Sequence, residues 1–190
     1  VSMVSGANVT LNDVSVAPAS WAITNVTDGW NHYAVSISAS STTTAYKFYQ
    51  NGDLLKTTEV ANVINEVTGG LRATIGALQT GTLRGGNTGY GLLSGSLDEF
   101  RYWTTARNSE QIGRHWFTQV RGGTNSEPYN TSLGLYFKFN EGITTNDTTD
   151  SRILDYSGRI SNGKWVGYPG SSARSISSAM VEASVSTAEY

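Results

Sequence analysis

One segment of the 190-residue chain combines a strand signal with a helix signal, and it constrains the fold more than any other. Residues 91–103 pass from a glycine- and serine-rich lead-in to the strand-forming run Phe100–Trp103. Asn108 or Ser109 can cap a helix, and Gln111 stands three residues after Asn108 as in a capping box. Residues at helical spacing continue to Val120, and a glycine pair follows. The segment predicts a β-rich fold that carries a single helix.

Alternation of apolar and polar residues marks further strands in the first half of the chain. Within residues 30–37, Tyr33 and Val35 share one face, and Phe48 lies in a second alternating run. The dipeptide Asn51-Gly52 then predicts a tight hairpin, because both residues tolerate positive φ. We expect at least eight antiparallel strands in two facing sheets, with Tyr33, Val35 and Phe48 in the shared core.

Composition excludes several classes of protein. The net charge is −2, only 15% of the residues are charged, and no run of lysine or arginine occurs, so we expect no nucleic-acid partner. No apolar run is long enough for a membrane span. The chain has no cysteine, which excludes disulfides and thiolate chemistry. It begins at Val1 without an initiator methionine, and we expect it to be a piece of a longer polypeptide.

Several motifs together resemble laminin-G-like modules of the concanavalin A type. Residues 95–103 have the pattern Gly-x-Leu-Asp-Glu-Phe-Arg-x-Trp, and Asn-Ser-Glu-Gln-Ile follows at 108–112, as in the family's last core strand and helix. Three further segments are similar to the family's tryptophan-containing strand, its hairpin and its penultimate strand, namely residues 29–35, 48–52 and 75–76.

This resemblance covers roughly residues 20–170. It implies an all-β, concanavalin A-like jelly-roll sandwich of two antiparallel sheets with one short helix. The family includes lectins, adhesion modules, enzyme appendages and structural spacers, so the resemblance implies a fold more strongly than a function.

The C-terminal third raises a question of domain organisation. Leu135, Phe137 and Phe139 present an apolar face that needs a partner layer. They either pair back onto the preceding strands or open a further module that is truncated here, and the need for a partner layer favours pairing back. The predicted divisions are a main body without its upstream strands (1–120), a linker (121–132), the closing strands or the next module (133–168), and a serine- and alanine-rich linker (169–190).

The sequence predicts no catalytic site. Retaining sandwich glycosidases use a Glu-x-Asp-x-x-Glu motif to place two carboxylates beside the sugar bond, and this motif is absent. The nearest approach, Asp98-Glu99, would put adjacent carboxylates on opposite faces of a strand. We expect Glu99 to pair with Arg101 on the same face instead.

Two kinds of binding site remain as hypotheses. Carboxylate oxygens of Asp147, Asp150 and Asp155 could bind Ca²⁺, although their spacing matches no defined calcium loop and such loops are mostly solvated turns. No other cofactor is predicted. Tryptophans in periodic segments are expected to pack in the core or against the helix, namely Trp30, Trp103 and Trp116. Aromatic residues in irregular segments are candidates for glycan binding, namely Trp21, Tyr90, Tyr129 and Trp165.

Residues 140–163 are also similar to laminin-G-like regions in virion structural proteins of tailed marine phages. This resemblance implies a non-enzymatic module of a tail, baseplate or fibre protein, which mediates protein–protein assembly or attachment to host-surface glycans. Its partners would be other subunits, further copies of the chain or a cell-surface glycan. Its location would be the virion or the extracellular surface. The alternative is a bacterial secreted carbohydrate-binding module attached to a polysaccharide-degrading enzyme.

Overall fold

The computed structural model describes residues 29–61, 63, 73–76, 93, 95–120 and 131–174, together with the backbone of four short strands outside these ranges. The strands are β1 (Met3–Ser5), β2 (Asn8–Leu11), β3 (Tyr33–Ala39), β4 (Thr44–Gln50), β5 (Asp53–Val60), β6 (Leu78–Gln79), β7 (Thr88–Tyr90), β8 (Phe100–Trp103), β9 (Leu133–Phe137), β10 (Arg152–Ile153) and β11 (Gly163–Lys164). The helices are α1 (Ser109–His115) and the single turn α2 (Asp147–Asp150), and a 3₁₀ turn spans Ser171–Ala173.

All strand pairs in the described part of the chain are antiparallel. One group has the order β3-β4-β5, and the others are the pairs β1–β2, β6–β7, β8–β9 and β10–β11. The all-β antiparallel fold class is therefore confirmed. Among the described residues, the two expected sheets take the form of these five hydrogen-bonded groups.

The hairpin between β4 and β5 forms where the sequence predicts it. Asn51 and Gly52 have φ angles of 50° and 89°, the positive values that this dipeptide tolerates. Asn51 also ties the turn to the preceding segment, because its backbone N–H donates to the carbonyl of His32 at 2.9 Å and its Oδ1 accepts from the backbone N–H of His32 at 2.8 Å.

The helix α1 begins as predicted but ends earlier. Asn108 and Gln111 form the capping box, each side chain accepting from the other's backbone N–H. The helix ends at His115 rather than at Val120, and the guanidinium of Arg101 donates to the His115 carbonyl at 3.0 Å, which satisfies a carbonyl of the last turn. A further helical segment, the single turn α2, forms later in the chain. Neither helix approaches the length of a membrane span.

An apolar cluster joins β9 to the segment that follows α1. Val120, Leu133 and Tyr136 are buried, and Trp103 and Tyr156 pack against them. Because β8 pairs with β9, the C-terminal third contributes directly to this cluster. The pairing supports the closing-strand alternative, while the division into domains stays a prediction.

The predicted faces of β9 were partly wrong. Tyr136 stands on the face expected to be polar, yet it is fully buried. On the face expected to be apolar, Phe137 is buried but Leu135 and Phe139 are only half-buried. The ring of Phe137 is covered by β11, where a Cβ added to Gly163 would lie 3.1 Å from it. Both faces of β9 are therefore partly covered, a pattern that simple alternation does not predict.

The core expected on β3 is also corrected. Tyr33 and Val35 are exposed, whereas Phe48 on β4 is buried. β3 is an outer strand of its three-stranded group, so its side chains have a described neighbour on one side only. Trp30, expected in the core, is 58% exposed.

Candidate functional site

Glu99 belongs to the Asp98-Glu99 pair, the nearest approach in this sequence to a glycosidase motif, and it lies buried beside β9. Its carboxylate accepts hydrogen bonds from Gln119 Nε2 at 2.7 Å and from the hydroxyl of Tyr136. The predicted pairing with Arg101 is present at 3.5 Å. The predicted strand position is wrong, because Asp98 and Glu99 precede β8 and Glu99 has a φ of 54°.

This buried cluster has a structural role. Arg101 donates to the backbone carbonyls of His115, the last residue of α1, and of Thr118 beyond it, so it fastens the end of the helix to β8. Burial and the hydrogen bond to Glu99 raise the pKa of Tyr136, which keeps its hydroxyl a donor. No part of the Glu99 side chain is exposed. The Glu99 carboxylate is therefore shielded from solvent.

Asp155, a predicted calcium ligand, is occupied by donors of the protein itself. One carboxylate oxygen accepts from the backbone N–H groups of Tyr136 at 3.0 Å and Ser157 at 2.9 Å. The other accepts from the Ser157 hydroxyl and the Ser161 backbone N–H, both at 2.9 Å. Burial alone raises the pKa of Asp155, but these hydrogen bonds outweigh it and the net pKa is lowered.

The other two predicted calcium ligands, Asp147 and Asp150, have different local environments. Asp150 accepts from the hydroxyl of Thr144 at 2.6 Å and from its backbone N–H at 2.9 Å, and these bonds lower the pKa of Asp150. Asp147 is exposed in α2, which Asn146 caps. No group of three acidic or histidine side chains in the described ranges is placed to hold a metal ion. The calcium site stays a prediction.

A shallow groove of about 280 Å³ runs between α2 and the β10–β11 pair. Trp165, one of the predicted glycan-binding residues, lines it together with Tyr168, and the two rings meet edge to face with their centroids 5.5 Å apart. The groove is completed by polar and charged residues, namely Asp147, Thr148, Ser151, Arg152 and Lys164. Residues predicted for two separate sites, Trp165 and Asp147, therefore line the same groove.

Hydrogen bonds within the groove and beside it hold its walls. The backbone N–H of Trp165 donates to the carbonyl of Ser151 at 2.7 Å, which joins the two sides. Arg174 pairs with Glu141 at 3.0 Å and donates to the carbonyl of Arg152 at 2.7 Å. The Arg174 guanidinium also lies 5.9 Å from the centre of the Tyr168 ring. These contacts fix the aromatic pair against the rest of the C-terminal segment.

The remaining predicted glycan-binding residues are not located in such detail. Trp21 and Tyr129 lie outside the described residues, and Tyr90 is described only as part of the β7 backbone. Sequence reasoning missed Tyr168, Arg152 and Lys164. The only signal for them was their closeness to Trp165 or to the aspartates, since the register that pairs Arg152 with Lys164 cannot be read from strands of two residues.

The fold and the groove together define a class of protein, an all-β module of antiparallel strands that carries a shallow surface groove. A family model described as the concanavalin A-like lectin/glucanases superfamily matches residues 4–113, which is more than half of the chain, and the chain belongs to this superfamily. No curated protein and no solved structure matches it significantly. The groove lies outside the matched residues.

Proposed function

We propose that the chain is a non-enzymatic carbohydrate-binding module whose ligand occupies the groove at Trp165 and Tyr168. The observation that carries this proposal is the pair of aromatic rings standing among hydroxyl and charged side chains in one shallow groove. A sugar ring presents C–H groups to an aromatic face and hydroxyls to polar groups, so both kinds of lining residue have a counterpart in it. Membership of a superfamily that includes lectins supports the same function.

Two observations support binding rather than hydrolysis. Cleavage of a glycosidic bond needs two carboxyl groups on either side of it, about 5 to 9.5 Å apart. Asp147 is the one carboxylate among the described residues that line the groove, and Glu99 is buried in a separate cluster. The isolated chain should therefore release no reducing ends from β-glucans, galactans or alginate. Hydrolysis that disappears in Glu99→Gln would contradict the proposal.

The binding test compares Trp165, a half-buried tryptophan of the groove, with an exposed tryptophan outside it. Affinity electrophoresis of the chain through gels containing these polysaccharides should show retardation by at least one of them. Trp165→Ala should weaken that binding tenfold or more, equivalent to about 1.4 kcal/mol. Trp30→Ala is the matched control, because Trp30 is 58% exposed and lies outside the groove. Equal retardation of both variants at an unchanged unfolding midpoint would place the binding elsewhere and reject the groove.

The same gels test the need for calcium. Asp150 and Asp155 already accept hydrogen bonds from protein donors, so a calcium ion would have to displace those donors. Binding should be equal in EDTA and in added CaCl₂. A requirement for calcium would restore the metal hypothesis for Asp147, Asp150 and Asp155.

The larger setting is also a proposal. We propose a surface or particle protein, with a tail, baseplate or fibre component of a tailed phage as the first candidate and a bacterial secreted carbohydrate-binding module as the second. In both settings the module is on the virion or outside the cell, where a glycan is accessible. The sequence on either side distinguishes them, since a particle-forming segment supports the first and a catalytic domain for polysaccharides supports the second.

A further inference from the structure

The two cationic side chains that line the groove have no charge partner among the described residues. Arg152 and Lys164 stand directly opposite each other in the β10–β11 pair and are both exposed. Side chains at directly opposite positions of antiparallel strands lie about 5 Å apart at Cβ, and like charges placed there destabilise the pair. Neither side chain has an ion-pair or hydrogen-bond partner in the described part of the chain.

The other arginines near the groove are used differently. Arg174 pairs with Glu141, and Arg159 donates to the backbone carbonyls of Leu133 and Thr131 at 2.8 Å. The side chains of Arg159 and Arg174 fix parts of the backbone to each other. Those of Arg152 and Lys164 line the groove and make no such contact among the described residues. Asp147 is the one negative charge among the described lining residues, so the groove carries a net positive charge on a chain whose net charge is −2.

We propose that the ligand is an anionic polysaccharide, with a carboxylate or sulfate group bound between Arg152 and Lys164 while the sugar ring packs against Trp165. This inference rests on the proposed function and specifies its ligand class. A single anionic group close to both cations would relieve their mutual repulsion and make charge-assisted hydrogen bonds. The guanidinium offers two parallel donors to such a group, and the ammonium offers a compact charge.

Titration of the full chain with three polysaccharides tests the inference. The probes are a polyuronate, a sulfated galactan and a neutral galactan. We expect a charged probe to bind at least tenfold more tightly than the neutral one, with an affinity that falls as NaCl is raised. The carboxylate and sulfate arms identify which anionic group is preferred.

The variants separate the groove from general surface charge. Arg152→Gln with Lys164→Gln should weaken binding of the charged probe at least tenfold and leave the unfolding midpoint equal or slightly higher. Arg114→Gln is the matched control, since Arg114 is an exposed cation on α1. Equal loss in Arg114→Gln would overturn the inference in favour of diffuse attraction.

The outcome also distinguishes the ligand class from the proposed function. Binding of the neutral galactan alone, lost in Trp165→Ala but unchanged in the double variant, would reject the anionic ligand and keep the carbohydrate-binding groove. Failure of all three probes to bind would reject the anionic ligand, and failure of the β-glucans as well would reject the carbohydrate-binding groove.

Discussion

The hairpin group β3-β4-β5 and the C-terminal segment from residue 131 to residue 174 are stabilised in different ways. The hairpin group has strands of seven or eight residues joined by a continuous backbone ladder. In the C-terminal segment β10 and β11 have two residues each, and much of the order comes from side chains that bind backbone groups. Asp155, Asp150, Arg159 and Arg174 each bind the main chain in this way.

The difference explains why the candidate site lies where it does. A ladder satisfies its backbone groups on neighbouring strands, so it depends less on side chains that bind the main chain, and its shape is regular. A segment of turns held by side chains can expose uneven surfaces while keeping them rigid. The groove at Trp165 is of this second kind, with Arg174 and Ser151 fixing its walls.

The largest expected effect comes from removing the C-terminal segment altogether. A chain ending at Gly123 loses β9, and with it Leu133 and Tyr136 of the apolar cluster and one of the partners of buried Glu99. We expect it to be insoluble or to unfold without cooperativity, because an exposed apolar cluster and a poorly paired buried carboxylate both destabilise the fold.

Thermal unfolding of this truncated chain is compared with a chain that ends at Arg174, which keeps every contact described above. The second chain should retain the midpoint of the whole protein. Equal midpoints for both would mean that residues 131–174 belong to a separate module, and the closing-strand alternative would be wrong.

The second prediction compares the loss of one aspartate in each of the two regions. Asp155→Ala removes the acceptor of four hydrogen bonds that join the turn at 157–161 to β9, and we expect a loss of about 4 kcal/mol in the free energy of unfolding. Asp53→Ala in the hairpin is the matched control, since Asp53 is exposed and its place is fixed by the ladder. Denaturant unfolding of both variants is the measurement, and similar losses would remove the distinction between the two regions.

The same contrast decides what could be predicted from sequence. The hairpin and the start of α1 follow from local rules, a dipeptide that tolerates positive φ and a capping box, and both are present. The end of α1 was missed because Arg101, fourteen residues away, takes the carbonyl of His115. Trp165 was recognised as a candidate from its irregular surroundings.

The rest of the groove could not be recognised in that way. Tyr168, Arg152 and Lys164 reach it through a two-residue strand register that leaves no periodic pattern in the sequence. The burial of Tyr136 was likewise missed, because it depends on Glu99 and on the segment after α1 rather than on alternation along β9.

A third prediction examines the hairpin turn. Gly52→Ala places a side chain at a φ of 89°, and the new Cβ would lie 2.8 Å from Nε1 of Trp116. Gly29→Ala is the matched control, because Gly29 has a φ of 78° and nothing within 4 Å of the added Cβ. We expect a loss of about 1 kcal/mol for Gly29→Ala from the left-handed backbone alone, and about 2 kcal/mol for Gly52→Ala from the backbone and the contact together.

Unfolding midpoints of the two variants measure the difference. In the background of Trp116→Leu, the excess cost of Gly52→Ala should shrink toward that of Gly29→Ala. If Gly52→Ala still costs more than Gly29→Ala in the Trp116→Leu background, the contact with the Trp116 indole is not the cause of the extra cost.

The smallest expected effect is a dependence of stability on pH, which differs between the two regions. Burial, and then the nearby charge of Arg101, lower the pKa of His32 beside the hairpin to about 4. The folded state thus favours the neutral imidazole. The contribution of His32 to stability is therefore complete above 6.5, the ordinary pKa of histidine, and falls as the pH drops from 6.5 toward 4. The lowered pKa values of Asp150 and Asp155 act in the same direction but in a more acidic range, since their stabilisation is present above 3.8 and is lost only as the pH falls below it. Between pH 6.5 and 5.5, the free energy of unfolding should fall by about 1 kcal/mol because of His32.

In His32→Gln most of that slope should vanish, and the remainder should reflect His115, whose pKa burial and neighbouring arginines also lower. Urea unfolding at pH 7.0, 6.0 and 5.5 measures the slope, and a slope unchanged in His32→Gln would place the pH sensitivity outside the hairpin region.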